Sequence, residues 1–269
     1  MKKLIILSAI AIFTFTLQAC GSSNDYSVGA SPTPHAEILK QANEHIDEAY
    51  QFEIVEFSDY VLPNTALHEG DLTANFFQHI PYLENQIEEH GYDFVNVGGV
   101  HIEPIGLYSK TYDDLSDLPN ELEIIVSNSP SDRPRLLGVL EDAELIEIND
   151  TLEDSDIIAA NIDTLDTFFT SDFDIDFIEI DPIQLYTNYD NESGDLVLIN
   201  GNFALDHGLN PLEDALALEA SDSPYANVLV TLSDNEDAKF IQALYEVLKS
   251  DEISEWIEQE YGGSVILAD

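Results

Sequence analysis

The sequence predicts an α/β protein of two lobes, each a mainly parallel sheet flanked by helices, with a ligand cleft between them. Three observations carry this expectation. Short β-rich runs alternate with helical-period segments over residues 26–102, in the β-α-β-α-β order of a sheet covered by helices. A second βα series of comparable length begins at Leu122. Two helical segments, Glu236–Leu248 and Ile253–Tyr261, then close the chain and can return to the first lobe. The expected limits are residues 26–103 with 226–269 for one lobe and 104–225 for the other.

In chain order, Tyr26–Ala30 and Phe52–Phe57 read as strands around a helix over His35–Tyr50, whose Ile38, Leu39, Ala42, Ile46 and Ala49 share one face. Leu72–Phe77 reads as a strand running into a helix at Pro81, a residue whose missing N–H suits a helix's first turn. That corner gathers Phe76, Phe77, His79 and Tyr82 at the carboxyl end of a strand, where open α/β sheets bind ligands. Phe94–Ile102 and Leu122–Val126 are further strands. After Ser127-Asn128-Ser129-Pro130 a helix opens near Asp132, which can cap it, and continues through Leu145. Phe173–Ile180 alternates with an acidic face; Asp195–Ile199 and Asn227–Leu232 complete the strands. Residues 150–172 receive no assignment.

The N-terminal 19 residues read as a targeting segment. Lys2 and Lys3 precede an apolar run, Leu4–Leu17, too short to span a bilayer as a mature helix. The run ends in Leu17-Gln18-Ala19-Cys20, which resembles a bacterial lipobox, and Cys20 is the only cysteine of the chain. Lipid on Cys20, a short tether over residues 20–25 and an extracytoplasmic, membrane-anchored domain are therefore expected. The anchor would lie on the periplasmic side or on the outer face of the cytoplasmic membrane.

Acidic residues number 54 against 8 basic ones. Removing Lys2 and Lys3 with the leader leaves 54 against 6, a side-chain balance of −48. Such a surface makes nucleic acid and bare anionic membrane poor partners, and self-repulsion of this size is relieved by salt. A salt-adapted surface is the simplest reading, because the acids are spread along the whole chain. Against this background the two arginines, Arg133 and Arg135, stand out. A planar fork of donors retained at one corner suits a carboxylate or phosphate.

The motifs of catalysis are missing: there is no G-x-S-x-G, S-x-x-K, H-E-x-x-H or phosphate-binding P-loop. No enzymatic activity, cofactor or catalytic residue is expected. Asp172-x-Asp174-x-Asp176 begins like a calcium loop, but Phe177 stands where the turn glycine belongs. His68, His79, His90 and His101 recur every 11 residues, which leaves a metal-binding lipoprotein as an alternative.

Several stretches closely resemble the methionine-binding lipoproteins of bacterial ABC importers. They include Val28–Leu39 (Val-Gly-Ala-Ser-Pro-Thr-Pro-His-Ala-Glu-Ile-Leu), Asp59–Asn64 (Asp-Tyr-Val-Leu-Pro-Asn), the corner Asn75–Tyr82, Val97–Lys110, Ile199–Ala204 and Ser223–Asn227. The resemblance implies a type II-like periplasmic-binding-protein fold that encloses methionine and hands it to an ABC transporter permease. It places the ligand's side chain among Tyr60, Phe77, His79 and Tyr82. Arg135 would hold the carboxylate, Asn200 and Asn227 the amino-acid head, and Asn128 would be a neighbour. Two departures fall beside the arginine: the family's glycine before it is Pro134, and its aspartate after the asparagine is Ser129. The first leaves Arg133 as a second candidate for the carboxylate. Another amino acid or a methionine-containing dipeptide is the alternative ligand.

Overall fold

The computed structural model describes residues 26–149, 151–221 and 223–268. Cys20 and the predicted leader and tether, residues 1–25, lie outside the described residues. The chain opens with β1 (Ser27–Ala30), α1 (Glu37–His45), β2 (Glu53–Glu56), α2 (Leu62–Glu69), β3 (Ala74–His79), α3 (Ile80–His90) and β4 (Phe94–Ile102). It then crosses to β5 (Gly106–Tyr108), β6 (Glu121–Ser127), α4 (Arg133–Asp142), β7 (Glu147–Ile148), α5 (Asp154–Ala159), β8 (Phe169–Thr170) and β9 (Asp174–Ile180). There follow α6 (Leu185–Asp190), β10 (Leu196–Ile199), α7 (Gly201–Asp206), α8 (Pro211–Asp214) and β11 (Ala217–Leu218). The return crossing leads to β12 (Ala226–Leu232), α9 (Lys239–Leu248), α10 (Asp251–Tyr261) and β13 (Ile266–Leu267).

Two sheets organise these elements. The first has the order β13-β4-β12-β3-β1-β2, the second β11-β5-β10-β6-β9. The two-lobe α/β class holds, but each sheet mixes its pairings. In the first, β1 runs parallel to β2 and β3, whereas β12 is antiparallel to both β3 and β4. In the second, β6 is parallel to β9 and β10, and β5 is antiparallel to β10 and β11. The antiparallel strands flank the two crossings, so each crossing can be short and no covering helix is needed there.

Each sheet has its own core. In the first, Ile38, Leu39 and Ala42 of α1 pack with Phe76, Phe240, Leu244 and Ile257. In the second, Ile124 and Val126 of β6 meet Leu136, Leu137 and Leu140 of α4. Helix α4 stops at Asp142, short of the expected Leu145, which joins this core from the loop beyond it. Between 151 and 172 the chain forms α5, a 3₁₀ turn and β8, which pairs with β7.

Candidate functional site

The carboxyl ends of β3, β6 and β10 converge, and the side chains just beyond them define a cleft. At the first, the expected corner is present: His79 caps α3, its Nδ1 accepting from the Tyr82 N–H at 3.1 Å, with Pro81 in the first turn. Because Nδ1 is an acceptor, the ring proton lies on Nε2, which donates to Asp132 Oδ1 at 3.2 Å. Phe76 alternates to the opposite face and is fully buried in the core, while Phe77 faces the cleft. Cross-strand register then sets Asn227 of β12 opposite both His79 of β3 and His101 of β4.

The cleft is nearly closed, with about 30 Å³ open to the centre of a water-sized sphere. It is lined by Tyr60, Phe77, His79, Tyr82, Arg135, Asn200 and Asn227, so that seven of the eight residues singled out from sequence meet in one place. Asn128 does not. It is exposed, its N–H donates to the Ile180 carbonyl at 2.8 Å, and it borders a separate groove with Asp59 and Asp181. The reason is local: β6 continues to Ser127, and the chain turns at Ser129-Pro130, so the asparagine projects outward before α4 begins.

The wall and the head of the cleft differ in chemistry. Along the wall, Tyr60, Phe77 and Tyr82 form a triangle of rings with centroids 6.0–6.2 Å apart. Tyr60 also reaches across to the other lobe, donating to Asn202 Oδ1 at 2.6 Å, and Tyr82 donates to the Tyr60 carbonyl at 3.0 Å. At the head, Arg135 is buried from both sides. Its Nε and Nη2 donate to Glu219 Oε2, and Nη2 also donates to the Glu103 carbonyl at 2.9 Å. The Tyr225 ring lies 4.5 Å from its Cζ. Only Nη1 has no hydrogen bond among the described residues; its nearest carboxylate oxygen is Asp132 Oδ1 at 3.9 Å. Burial works against the guanidinium charge, but Glu219 and Asp132 hold it firmly protonated.

The two arginines therefore part company. Arg133 turns away from the cleft, its Nε and Nη2 on Glu179 Oε1 at 3.0 and 2.9 Å and its Nη1 on the carbonyls of Ile158 and Ala160. Pro134 sits within the first turn of α4, where the N–H it lacks would have no partner in the helix.

Asp132, Glu103, Gln78, Gly201 and Asn202 also line the cleft and were not singled out from the sequence. Asp132 was read there as a helix cap. It occupies the cap position of α4 without making a side-chain cap bond, because its carboxylate is taken by His79 and by Asn200 Nδ2 at 3.2 Å. Burial would raise its pKa, but His79, Arg135 and Asn200 together hold it down to about 2. Glu103, Gly201 and Asn202 lie within the stretches Val97–Lys110 and Ile199–Ala204, which marked them only as parts of longer motifs. Gly201 is needed for close approach: a Cβ there would lie 2.9 Å from Glu103 Cβ and 3.0 Å from the Pro104 carbonyl oxygen.

Behind the head lies a buried trio. His101 Nε2 donates to Glu103 Oε1 at 2.5 Å, and His35 Nε2 lies 3.1 Å from the same oxygen and 3.0 Å from Asn227 Oδ1. Burial lowers both histidines, His35 to about 4 and His101 to about 3, and raises Glu103. These three groups are the one set of possible metal ligands among the described residues. Two ring nitrogens aimed at a single carboxylate oxygen is, however, the geometry of a hydrogen-bonded carboxylate. The expected histidine series does not assemble: His68 and His90 each lie against Tyr92, His79 faces Asp132, and His101 is in the trio.

Known proteins are similar to this chain over nearly their whole length. A methionine-binding lipoprotein, MetQ, of Bacillus subtilis is 39% identical, over 99% of this chain and 98% of that protein. The D-methionine-binding lipoprotein MetQ of Escherichia coli is 31% identical over 95% of this chain and 94% of its own. Among solved structures, a nutrient binding protein from Burkholderia cenocepacia bound to methionine superposes with a TM-score of 0.81 at 32% identity, covering 91% of this chain and all of that one. A lipoprotein of Enterococcus faecalis, described as a pheromone cOB1 precursor of the YaeC family, superposes at 0.84 with 42% identity, over 90% of this chain and 99% of that one. With its profile matched across residues 26–268, the chain belongs to the NlpA lipoprotein family.

Proposed function

We propose that this protein captures methionine between its lobes and delivers it to an ABC transporter permease. The observation that carries this reading is a single cleft with two ends. One end offers a buried guanidinium with a free Nη1, the other a triangle of aromatic rings. A thioether gains about 0.3–1.5 kcal/mol from each ring it meets, and a carboxylate leaving water gains about 1.5–3 kcal/mol from each charge-assisted hydrogen bond. Micromolar binding corresponds to about −8.2 kcal/mol, roughly −0.9 per heavy atom for a ligand of about nine such atoms, within the ceiling of about −1.5 for small ligands.

The relatives that bind methionine by name support the ligand, and the family's substrate-binding role leaves no catalytic step to assign. In this reading Tyr60, Phe77, His79 and Tyr82 surround the side chain, while Arg135, Asn200 and Asn227 hold the head. His35 accounts for part of this: by engaging Asn227 Oδ1 it leaves the Asn227 amide N–H groups free to donate. The lobes comprise residues 26–103 with 226–269 and residues 104–225, as membership of the two sheets supports. Closure is carried by Tyr60–Asn202 and His79–Asp132, each joining one lobe to the other, and the closed form is what a permease would read. Lipid on Cys20 holds the protein at the outer side of the membrane; among the described residues no helix is long and apolar enough to cross it.

Isothermal calorimetry with L-methionine in molar salt tests the proposal. Binding near or below micromolar is expected. If methionine gives no heat while zinc does, and a chelator lowers Tm, the buried His35–His101–Glu103 trio is a metal site and the methionine reading falls.

A further inference from the structure

We propose that Asp132 is the seat of the ligand's α-ammonium group, so that the cleft demands a zwitterion and rejects the corresponding carboxylic acid without nitrogen. This inference rests on the amino-acid reading above and goes beyond it, because it names a determinant of specificity that lies outside the head contacts assigned there.

The first observation is an unfilled set of acceptors. Asp132 is 3% exposed, and each carboxylate oxygen takes one donor, Oδ1 from His79 and Oδ2 from Asn200. A carboxylate offers about four lone-pair sites, so each oxygen keeps capacity. Beside it, Asn200 Oδ1 is buried without a hydrogen-bond partner. The amide cannot be turned to relieve this, since the reverse orientation would set Oδ1 against the carboxylate. Two neighbouring groups of the cleft wall thus want donors, and a buried acceptor left alone is costly. An ammonium brings three N–H donors together with a positive charge.

The second observation is the charge balance. The guanidinium of Arg135 is already paired with Glu219, and Asp132 adds a second anion 3.9 Å from its free nitrogen. A ligand carboxylate arriving alone at Nη1 would crowd a further negative charge against Asp132, and like charges at that range disfavour each other strongly. A zwitterion adds no net charge. Its carboxylate faces Nη1 while its ammonium faces Asp132. Spacing of i and i+3 at the start of α4 puts the anion and cation side by side, antiparallel to the adjacent charges of an α-amino acid.

The test is calorimetry of wild type and Asp132→Asn with two ligands, L-methionine and 2-hydroxy-4-(methylthio)butanoate, which differ only at the α-substituent. Wild type is expected to prefer methionine by at least about 100-fold. Asp132→Asn should narrow that preference by about tenfold or more, by losing methionine while the hydroxy acid holds or gains. A wild type that binds both ligands within threefold overturns the proposal and needs no variant. So does an Asp132→Asn protein that loses both in the same proportion. A wild type that binds neither sinks the methionine reading instead. In that event each of the other common amino acids is compared with its 2-hydroxy analogue, and a panel without any amino-acid preference overturns the Asp132 assignment too.

Discussion

Arg133 and Arg135 sit two residues apart on one helix, yet the first ties α4 to Glu179 and two carbonyls while the second enters the cleft. Their variants should separate accordingly. Arg133→Ala is expected to keep ligand affinity and to lose about 1–2 kcal/mol of stability in urea denaturation, since Glu179 and two carbonyls lose a donor. Arg135→Ala should abolish binding, but it also strands Glu219, whose side chain is 8% exposed, and so costs stability as well. Arg135→Gln combined with Glu219→Gln removes both charges together and isolates the loss of binding, read by calorimetry. Scarcity marked the pair and the family resemblance put Arg135 ahead of Arg133; what turns Arg135 inward is the tertiary position of Glu219, 84 residues away. Asp132 was invisible for the same reason. As a residue before a helix it looks like a cap, and only the approach of His79 from the other lobe reveals a different use.

The buried histidines make a residue-scale prediction about pH. Both have folded pKa values below the ordinary 6.5, so the unfolded chain binds more protons and stability falls as pH drops from about 6.5 towards 4. Glu103, raised by burial, acts in the opposite sense and softens the slope. Asp132, held at about 2, adds its own loss only below about pH 4. His101→Gln should flatten the upper window by up to one proton, about 1.4 kcal/mol per pH unit, measured by denaturant titration at several pH values.

At the scale of elements, the β3–α3 corner was legible because its signals are local. The β-rich run Leu72–Phe77 gives out just before His79, a proline follows at Pro81, and Gly91 adopts a left-handed conformation to close the helix. The corner also carries function-bearing geometry. His79→Ala is expected to cost about 1 kcal/mol through loss of the cap to Tyr82, and to weaken ligand binding through loss of the contact with Asp132. His79→Asn should recover most of the stability but not the affinity. Denaturation and calorimetry on the same preparations check both. The antiparallel pairing of β12 with β3 and β4 left no such trace, since strands about 150 and 130 residues apart in sequence carry no mark of their partner's direction. Residues 151–172 were opaque because their one α-helix is six residues long and is followed only by a seven-residue 3₁₀ segment and a two-residue strand.

At the scale of the molecule, an excess of 46 negative charges surrounds two modest cores. Between about 0.1 M and 1 M salt the Debye length contracts from about 10 to about 3 Å. A steep rise of Tm over that range is expected in scanning calorimetry; a flat response would remove the salt-adaptation account. Both crossings between lobes pass the head of the cleft. Glu219, on the return crossing, accepts from the Ile105 N–H of the outgoing one at 3.0 Å while it holds Arg135, and Ser223 donates to its other oxygen at 2.7 Å. Glu219 is therefore a resident competitor for the guanidinium that an arriving carboxylate seeks. An empty cleft is spared a bare buried cation, and a filled one never gains the whole of a new ion pair. The grip on a carboxylate is thereby set by what Nη1 alone can add to a cation already neutralised.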